Sequence, residues 1–361
     1  MSSSVDQGVQ EVRLLDAQGA AVTSDRYPPL PNDELLARYR SMVVGRRVND
    51  QAGALVRQGR LAVYPSSHGQ EACQVAAAAV LRPGDWLFPT YRDVVAVIER
   101  GVDAIEVLSW LKGDWHCGYD PTEHQVAPQS TPLATQLLHA VGVGHAARLQ
   151  GRATVVMALC GDGATSEGDF HEALNFAAVF KAPVVFLVQN NKYAISVPLA
   201  RQSAAPTLAH KGIGYGVPAV LVDGNDVAAL CVVLAEAVAR AAAGEGPTLV
   251  EADTYRIQAH TNADDPSRYR TDEEVREWQA RDPLIRVRTF LRAQGALDDA
   301  MEAEITEEAE AMATYLRDGM SEGDPPAPDI LFEHVYASPT PQLLAQRDLL
   351  REELTAEEAT R

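Results

Sequence analysis

The stretch from Gly161 to Asn191, "GDGATSEGDFHEALNFAAVFKAPVVFLVQNN", limits what this chain can fold into more than any other part of it. It follows a β-rich run, "TVVMAL", and contains a second, "PVVFLVQ". The 26 residues between Gly163 and Asn190 are about what one helix and one strand need. Phe170, Ala173, Leu174, Ala177 and Ala178 fall at i, i+3, i+4, i+7 and i+8, one apolar stripe at helical spacing. Strand, helix and strand in this order make a βαβ unit, so the two strands are parallel. Asp162 and Asn191 then fall at their carboxyl ends, the edge at which open α/β sheets bind ligands.

The alternation continues on both sides. Runs such as "AVLVDG" and "TLVEADTYR" alternate with longer stretches of helical period from about residue 33 to 290, and the expected fold is α/β, a mainly parallel sheet flanked by helices. Residues 1–31 read as a mobile N-terminal arm, because "RYPPLP" opposes both helix and sheet, and the first helix is expected near Asn32. Residues 32–290 form the α/β domain and 291–361 an acidic helical C-terminal segment. From Leu297 to Asp324 ten acidic residues face one basic residue, which reads as a solvated helix face. The link "GDPPAPD" then leads to a short terminal segment that packs on the main domain or on a neighbour.

Composition narrows the partners. A net charge of -19, from 31 Lys and Arg against 50 Asp and Glu, excludes nucleic acid and anionic membrane surfaces, which need a basic face. Arginines gathered at one pocket can still hold a phosphorylated cofactor. Cys73, Cys117, Cys160 and Cys231 are scattered without a CxxC pair, which argues against a disulfide scaffold or zinc site and fits a reducing cytoplasm. "MSSSVDQGVQEVRLL" has no apolar core of signal-peptide length. The most apolar helical stretch, "DVAALCVVLAEAVARAAAG", is interrupted by Glu236 and Arg240, so no membrane span is expected.

The residue types at the two strand ends have a chemical reason. An aspartate carboxylate and an asparagine carbonyl are hard oxygen donors suited to Mg²⁺, which takes its remaining ligands from phosphate and water. After Asp162 the chain is expected to enter the helix through "GATSEG", whose free N–H groups could hold a phosphate. Gly161 and Gly163 allow a tight turn and close approach of a ligand. Taken alone, GDG is ordinary turn chemistry and NN an ordinary loop start; the ordered combination points to a metal-bridged diphosphate. Neither GxGxxG nor GxxxxGK[ST] occurs, so dinucleotide and P-loop sites are not indicated.

GDG, close to thirty residues, then NN resembles the thiamine diphosphate motif of transketolases, decarboxylases and 2-oxo acid dehydrogenases. With the following "KYAIS", the stretch resembles the alpha subunit of the two-subunit dehydrogenase component of 2-oxo acid dehydrogenase complexes. "HGQEA", "PTYRD", "STPLATQ", "DGND", "GEGPTLVEADTYR" and "HTNADDPSRYR" continue the resemblance over roughly residues 35 to 290. It implies the thiamine diphosphate-binding fold.

The resemblance also implies roles. Asp162, Asn191 and the backbone carbonyl of Tyr193 would hold Mg²⁺ against the diphosphate. Tyr91 and Arg92, Thr131 and Leu133, Gly163 and Ala164, Gln189 and His260 would contact the cofactor. Arg92 suits a phosphate bidentately. Ser130, Pro132, Thr135 and Gln136 could hold a structural K⁺, or simply form a helix N-terminus. His260 would contact the diphosphate and assist acyl transfer, on a loop steadied by Arg256, Arg268 and Arg270 with Asp264 and Asp265 as partners. Thr261 occupies the position of a regulatory phosphoserine in animal relatives. Gln189 departs from the arginine of animal branched-chain relatives, so its phosphate contact should be weak or absent.

Thiamine catalysis also needs a glutamate that activates the aminopyrimidine, and the family supplies it from a second domain for which this chain has no room. The resemblance therefore implies a heterotetramer of two alpha and two beta chains, oxidative decarboxylation of a small 2-oxo acid, and transfer of the acyl group to lipoamide on the lipoyl domain of a dihydrolipoamide acyltransferase. The motifs lean towards a branched-chain 2-oxo acid dehydrogenase (3-methyl-2-oxobutanoate dehydrogenase), with pyruvate dehydrogenase as the alternative. A non-catalytic nucleotide- or metal-binding subunit is the reading from another class.

Overall fold

The computed structural model describes residues 9–113, 117–320 and 327–359. In chain order the strands are β1 (Glu11–Val12), β2 (Trp86–Phe88), β3 (Val156–Gly161), β4 (Val184–Asn190), β5 (Tyr193–Ala194), β6 (Val197–Pro198), β7 (Ala219–Asp223) and β8 (Thr248–Asp253). Six form one sheet in the order β1, β7, β8, β4, β3, β2, with every neighbouring pair parallel. β5 and β6 make a small antiparallel hairpin just past β4. The α/β architecture expected from the alternation is the one observed.

β4 is central and buried at every residue, which is why "VVFLVQN" reads as an unbroken apolar run instead of an alternating one. Its register with β3 pairs Gly161 with Gln189, so Asp162 and Asn191 emerge side by side at the same edge. The Gly168–Phe180 helix crosses between these strands and buries Phe170, Ala173, Leu174 and Ala177, the expected stripe, with Ala178 half-buried. Its outer face leaves Phe176, Val179 and Phe180 exposed.

Two expectations at the ends of the chain are corrected. The arm expected to be mobile is, over residues 9–31, tied to the sheet. β1 pairs with β7, Leu14 and Leu15 are buried, and their N–H groups both donate to Asp226 Oδ2 at 2.6 Å. Short-range reading failed because these partners lie more than 200 residues away. Residues 1–8 lie outside the described residues.

The boundary at residue 290 is also displaced. The chain divides into one unit of Met1–Gly319 and a second of Met320–Arg361. The acidic Asp299–Gly319 helix belongs to the first unit, burying Ile305, Ala309, Ala313 and Leu316. Its acidic face is not merely solvated: Glu304 and Glu308 pair with Arg40 at 2.8 Å, and Glu310 with Arg47 at 2.7 Å. Exposed pairs of this kind each contribute about 0–1 kcal/mol, so the apolar stripe carries the packing. The second unit contains the Ile330–Glu333 and Pro341–Glu358 helices, with Arg351 paired to Asp329. Most of "GDPPAPD" lies outside the described residues.

Candidate active site

One cavity opens at the carboxyl edge of β3 and β4. Asp162, Gly163, Ala164, Gln189, Asn191 and Tyr193 form its floor; Tyr91, Arg92 and His260 one wall; and Ser130, Pro132, Leu133 and Gln136 another. Thirteen of the fifteen site residues expected from the sequence line this cavity, while Thr131 and Thr135 do not. Gln70, Ala194 and Ile195 also line it, and sequence reasoning missed them. Gln70 sits inside "HGQEA", but nothing local marks it as facing β4.

The floor is built from buried oxygens. Asp162 is 1% exposed and Asn191 6%. The outer atom of the Asn191 amide lies 3.1 Å from Tyr193 O and 3.3 Å from Asp162 Oδ1. With oxygen there, three acceptors converge; with nitrogen there, Asn191 would donate to both. The neighbours decide between the two. A reversed Asn191 would turn its oxygen towards Gln70 Oε1 at 3.1 Å, and Gln70 is held by its donated bond to Gln189 Oε1 at 3.0 Å. The Tyr193 N–H, which can only donate, also points at this atom at 3.3 Å. Oxygen is therefore the atom that faces Asp162 and Tyr193.

Three converging acceptors with one carboxylate among them make an arrangement that a cation relieves. Asp162 has no ion pair among the described residues; the nearby Lys192 pairs with Asp253 instead. Its other oxygen accepts from Gln202 Nε2 at 2.7 Å. Burial pushes its carboxyl above the ordinary range, so the ionised form needs a counter-charge.

Beyond Asp162 the structure differs from expectation. Asp162–Ser166 is a 3₁₀ turn, Glu167 is extended, and the α-helix starts only at Gly168. Gly163 and Ala164 in this first turn line the cavity, and their N–H groups lack intrahelical acceptors. Gly163 is sterically required, because a Cβ there would meet Ala194 Cβ at 2.7 Å. Gly161 has open space where its Cβ would be, which leaves room for a ligand. Backbone strain gathers in the same place: Ala134, Lys192 and Ile195 have φ of 64°, 77° and 57°. Left-handed conformation in a β-branched residue such as Ile195 is uncommon and clusters at functional sites.

The Arg92 wall carries positive charge. Arg92 (5% exposed) donates to Ser66 O at 2.8 Å and His260 O at 3.2 Å, and its Nη2 lies 3.1 Å from His260 Nδ1. Arg256 (1% exposed) donates to Tyr193 O at 3.2 Å, Ile195 O at 2.6 Å and the Tyr269 hydroxyl at 2.9 Å, and reaches His260 Nδ1 at 3.4 Å. Neither guanidinium has a carboxylate ion pair among the described residues, and Arg256 Nε is buried without a partner. Two buried, unneutralised cations beside a cavity call for an anion.

Because arginine can only donate, His260 Nδ1 must accept, and the proton of the neutral ring sits on Nε2. Burial, then Arg92 and Arg256, push His260 down to about 4. The Tyr91 ring meets His260 edge-on at 6.1 Å.

The expected loop braces hold in part. The Arg270 side chain donates to Arg256 O and Ile257 O, whereas the Arg268 side chain is exposed and makes none of the loop's hydrogen bonds among the described residues. Asp264 accepts from the His260 N–H at 2.8 Å and from the Tyr269 hydroxyl, and Asp265 caps the Pro266–Arg268 turn. Thr261 is half-buried in this loop. Gln189, expected to make at most a weak phosphate contact, has both ends of its amide engaged, with Asp93 and with Gln70. On the third wall, Gln136 Nε2 donates to Leu159 O at 2.8 Å while its Oε1 is buried without a partner. Asn190 shapes the turn, donating to the buried Glu251 at 2.7 Å.

A family profile described as "Dehydrogenase E1 component" matches residues 39–315. The chain belongs to the dehydrogenase E1 component family. It is 49% identical over 98% of its length to the 3-methyl-2-oxobutanoate dehydrogenase subunit alpha of Mycobacterium tuberculosis, of which it covers 96%. It is 41% identical over 83% of its length to the pyruvate dehydrogenase E1 component subunit alpha of Staphylococcus aureus, of which it covers 81%. The resemblance drawn from the motifs is thus met across the chain: this is an alpha-type E1 subunit of a 2-oxo acid dehydrogenase, and the family implies thiamine diphosphate. Among the described residues, no helix is long and apolar enough to cross a membrane.

Proposed function

We propose that the chain is the alpha subunit of a branched-chain 2-oxo acid dehydrogenase, 3-methyl-2-oxobutanoate dehydrogenase, and that its cavity holds the diphosphate end of thiamine diphosphate through Mg²⁺. The observation that carries this reading is the pairing, across one cavity, of a three-oxygen cluster with two buried arginines that lack carboxylate partners. A cation fits the first and a diphosphate the second. Asp162, Asn191 Oδ1 and Tyr193 O would hold the metal. Arg92 and the N–H groups of Gly163 and Ala164 would hold diphosphate oxygens. Ser130, Pro132, Thr135 and Gln136 are assigned to a K⁺, supported by the orphaned Gln136 Oε1.

When bound, thiamine diphosphate supplies a thiazolium carbon at which a 2-oxo acid loses CO₂. This chain's residues bind and orient. Leu133 and Ile195, exposed at the mouth, offer apolar surface to the cofactor's rings. His260, with its proton on Nε2, donates a hydrogen bond into the cavity and assists passage of the acyl group to lipoamide.

The only carboxylate among the described residues lining the cavity is Asp162, and none is a glutamate. That fits an activating glutamate from a beta subunit, in an assembly of two alpha and two beta chains that serves a lipoyl domain. The exposed Phe176, Val179 and Phe180, with Phe176 and Phe180 stacked at 5.6 Å, offer apolar surface to a further subunit. The buried, unpaired Cys73, Cys160 and Cys231 fit a cytoplasmic location.

The branched-chain preference rests on the more similar relative. The alpha and beta chains, coexpressed and loaded with cofactor, should decarboxylate 3-methyl-2-oxobutanoate with a higher kcat/KM than pyruvate. The reverse order would make pyruvate dehydrogenase the correct reading.

A further inference from the structure

Along the cavity floor, three side-chain amides run head to tail from a buried carboxylate. Gln189 Nε2 donates to Asp93 Oδ1 at 2.7 Å, Gln70 Nε2 donates to Gln189 Oε1 at 3.0 Å, and Asn191 Nδ2 donates to Gln70 Oε1 at 3.1 Å. All four side chains are buried: Asp93 0%, Gln70 2%, Gln189 2% and Asn191 6% exposed. They come from three separate places, the loop after β2, the turn before the Glu71–Ala79 helix, and the end of β4 with the residue just past it.

Such a chain has two self-consistent directions, and its ends choose between them. An ionised carboxylate only accepts. Asp93 Oδ2 already accepts from the Thr90 N–H and Oγ1, both at 2.7 Å, so Oδ1 is the atom left for Gln189. Gln189 must then present nitrogen to Asp93 and oxygen to Gln70. Gln70 in turn presents nitrogen to Gln189 and oxygen to Asn191, and Asn191 is left with its oxygen towards Asp162 and Tyr193.

We propose that Asp93 is a positioning residue for the metal site: through Gln189 and Gln70 it fixes the Asn191 amide so that oxygen, not NH₂, faces the cation. This rests on the metal reading given above. It also gives Gln189 a role other than phosphate contact, as the first link of the relay. The reversed chain would place a donor among the three oxygens, satisfying Asp162 and Tyr193 internally and removing a ligand.

The isosteric Asp93→Asn tests the relay in the coexpressed alpha–beta complex with thiamine diphosphate. The amide introduced by this substitution must keep its oxygen on the Thr90 N–H, so its NH₂ faces Gln189 and the whole chain reverses. Mn²⁺ affinity, read by electron paramagnetic resonance, should fall by about tenfold or more, the worth of one reoriented ligand hydrogen bond. Adding Gln70→Glu should restore it, because a carboxylate at position 70 accepts from both Gln189 and Asn191 and resets the oxygen of Asn191 towards the metal. Asp162→Ala separates the two readings. If it leaves Mn²⁺ binding unchanged, the metal site itself is wrong and the relay has nothing to position.

If Asp162→Ala abolishes binding while Asp93→Asn binds as the parent does, the relay is overturned and the metal site stands. A loss in Asp93→Asn that Gln70→Glu does not rescue also overturns it, as general damage would. Should Asp93→Asn fail to fold, Gln70→Met breaks the relay at its middle link: weaker Mn²⁺ binding supports the proposal, and unchanged binding overturns it.

Discussion

The wall of the cavity at the strand ends is buried and the wall around His260 half-buried, and the two are fixed by different means. Asp162 and Asn191 sit where two paired strands stop, so sheet register holds their backbones and an amide network holds the Asn191 side chain. His260 sits on a loop with no ladder to hold it. Arg92 and Arg256 grip its ring nitrogen and neighbouring carbonyls, and Asp264 grips its N–H. The first wall is preorganised by backbone pairing, whereas the second is held by charged side chains whose partners could equally be a bound anion. One rigid and one exchangeable wall would let the site hold a cation tightly and still rearrange around an anion.

Breaking the rigid wall should have the larger effect. Asp162→Ala removes the one carboxylate of the oxygen cluster, and decarboxylation by the alpha–beta complex should fall on the order of 10³-fold, with excess Mg²⁺ recovering little of it. On the other wall, His260→Ala should lower acyl transfer to lipoamide on the order of 10²-fold while thiamine diphosphate still stabilises the complex to heat. Equal losses of cofactor binding in both variants would erase the distinction between the walls.

A subtler test uses pH. His260 is pushed down to about 4 from the ordinary 6.5, so the fold holds the neutral ring. As pH falls below 6.5 the unfolded chain takes up the proton first; this contribution to stability is therefore full above about 6.5 and is lost as pH approaches 4. Arg92→Met should move the His260 titration, followed by NMR of its ring protons, upwards from about 4 and narrow that window. A midpoint that does not move would show that Arg92 has no part in setting it. The smallest effect is expected at Thr131, which is exposed and does not line the cavity. Thr131→Ala should leave cofactor-dependent melting within about 0.5 kcal/mol of the parent.

Legibility in the sequence followed the range of the interactions. The β3–helix–β4 unit and the placement of Asp162 and Asn191 at adjacent strand ends were readable because one helix of known period fixes where both strand ends fall. The N-terminal edge strand was not, since its partner β7 and its anchor Asp226 lie more than 200 residues away. The start of the Gly168–Phe180 helix was misplaced by a few residues because "GATSEG" suits a 3₁₀ turn as well as a helix entry. Arg268 and Arg270 look alike in sequence, and only the path of the loop makes one a brace and leaves the other exposed.

The sequence by itself determined a parallel α/β sheet with Asp162 and Asn191 at one edge, because periodicity and spacing along a single crossover are local properties. Family membership follows from motifs spread over most of the chain. Only the tertiary structure decided which way the Asn191 amide points, because that depends on Gln189 at the same strand end and on Gln70 and Asp93, brought in from two further segments. An amide's two ends are nearly the same size, so no local preference selects one. The direction comes from a carboxylate three hydrogen bonds away, and a one-dimensional reading has no means of seeing it.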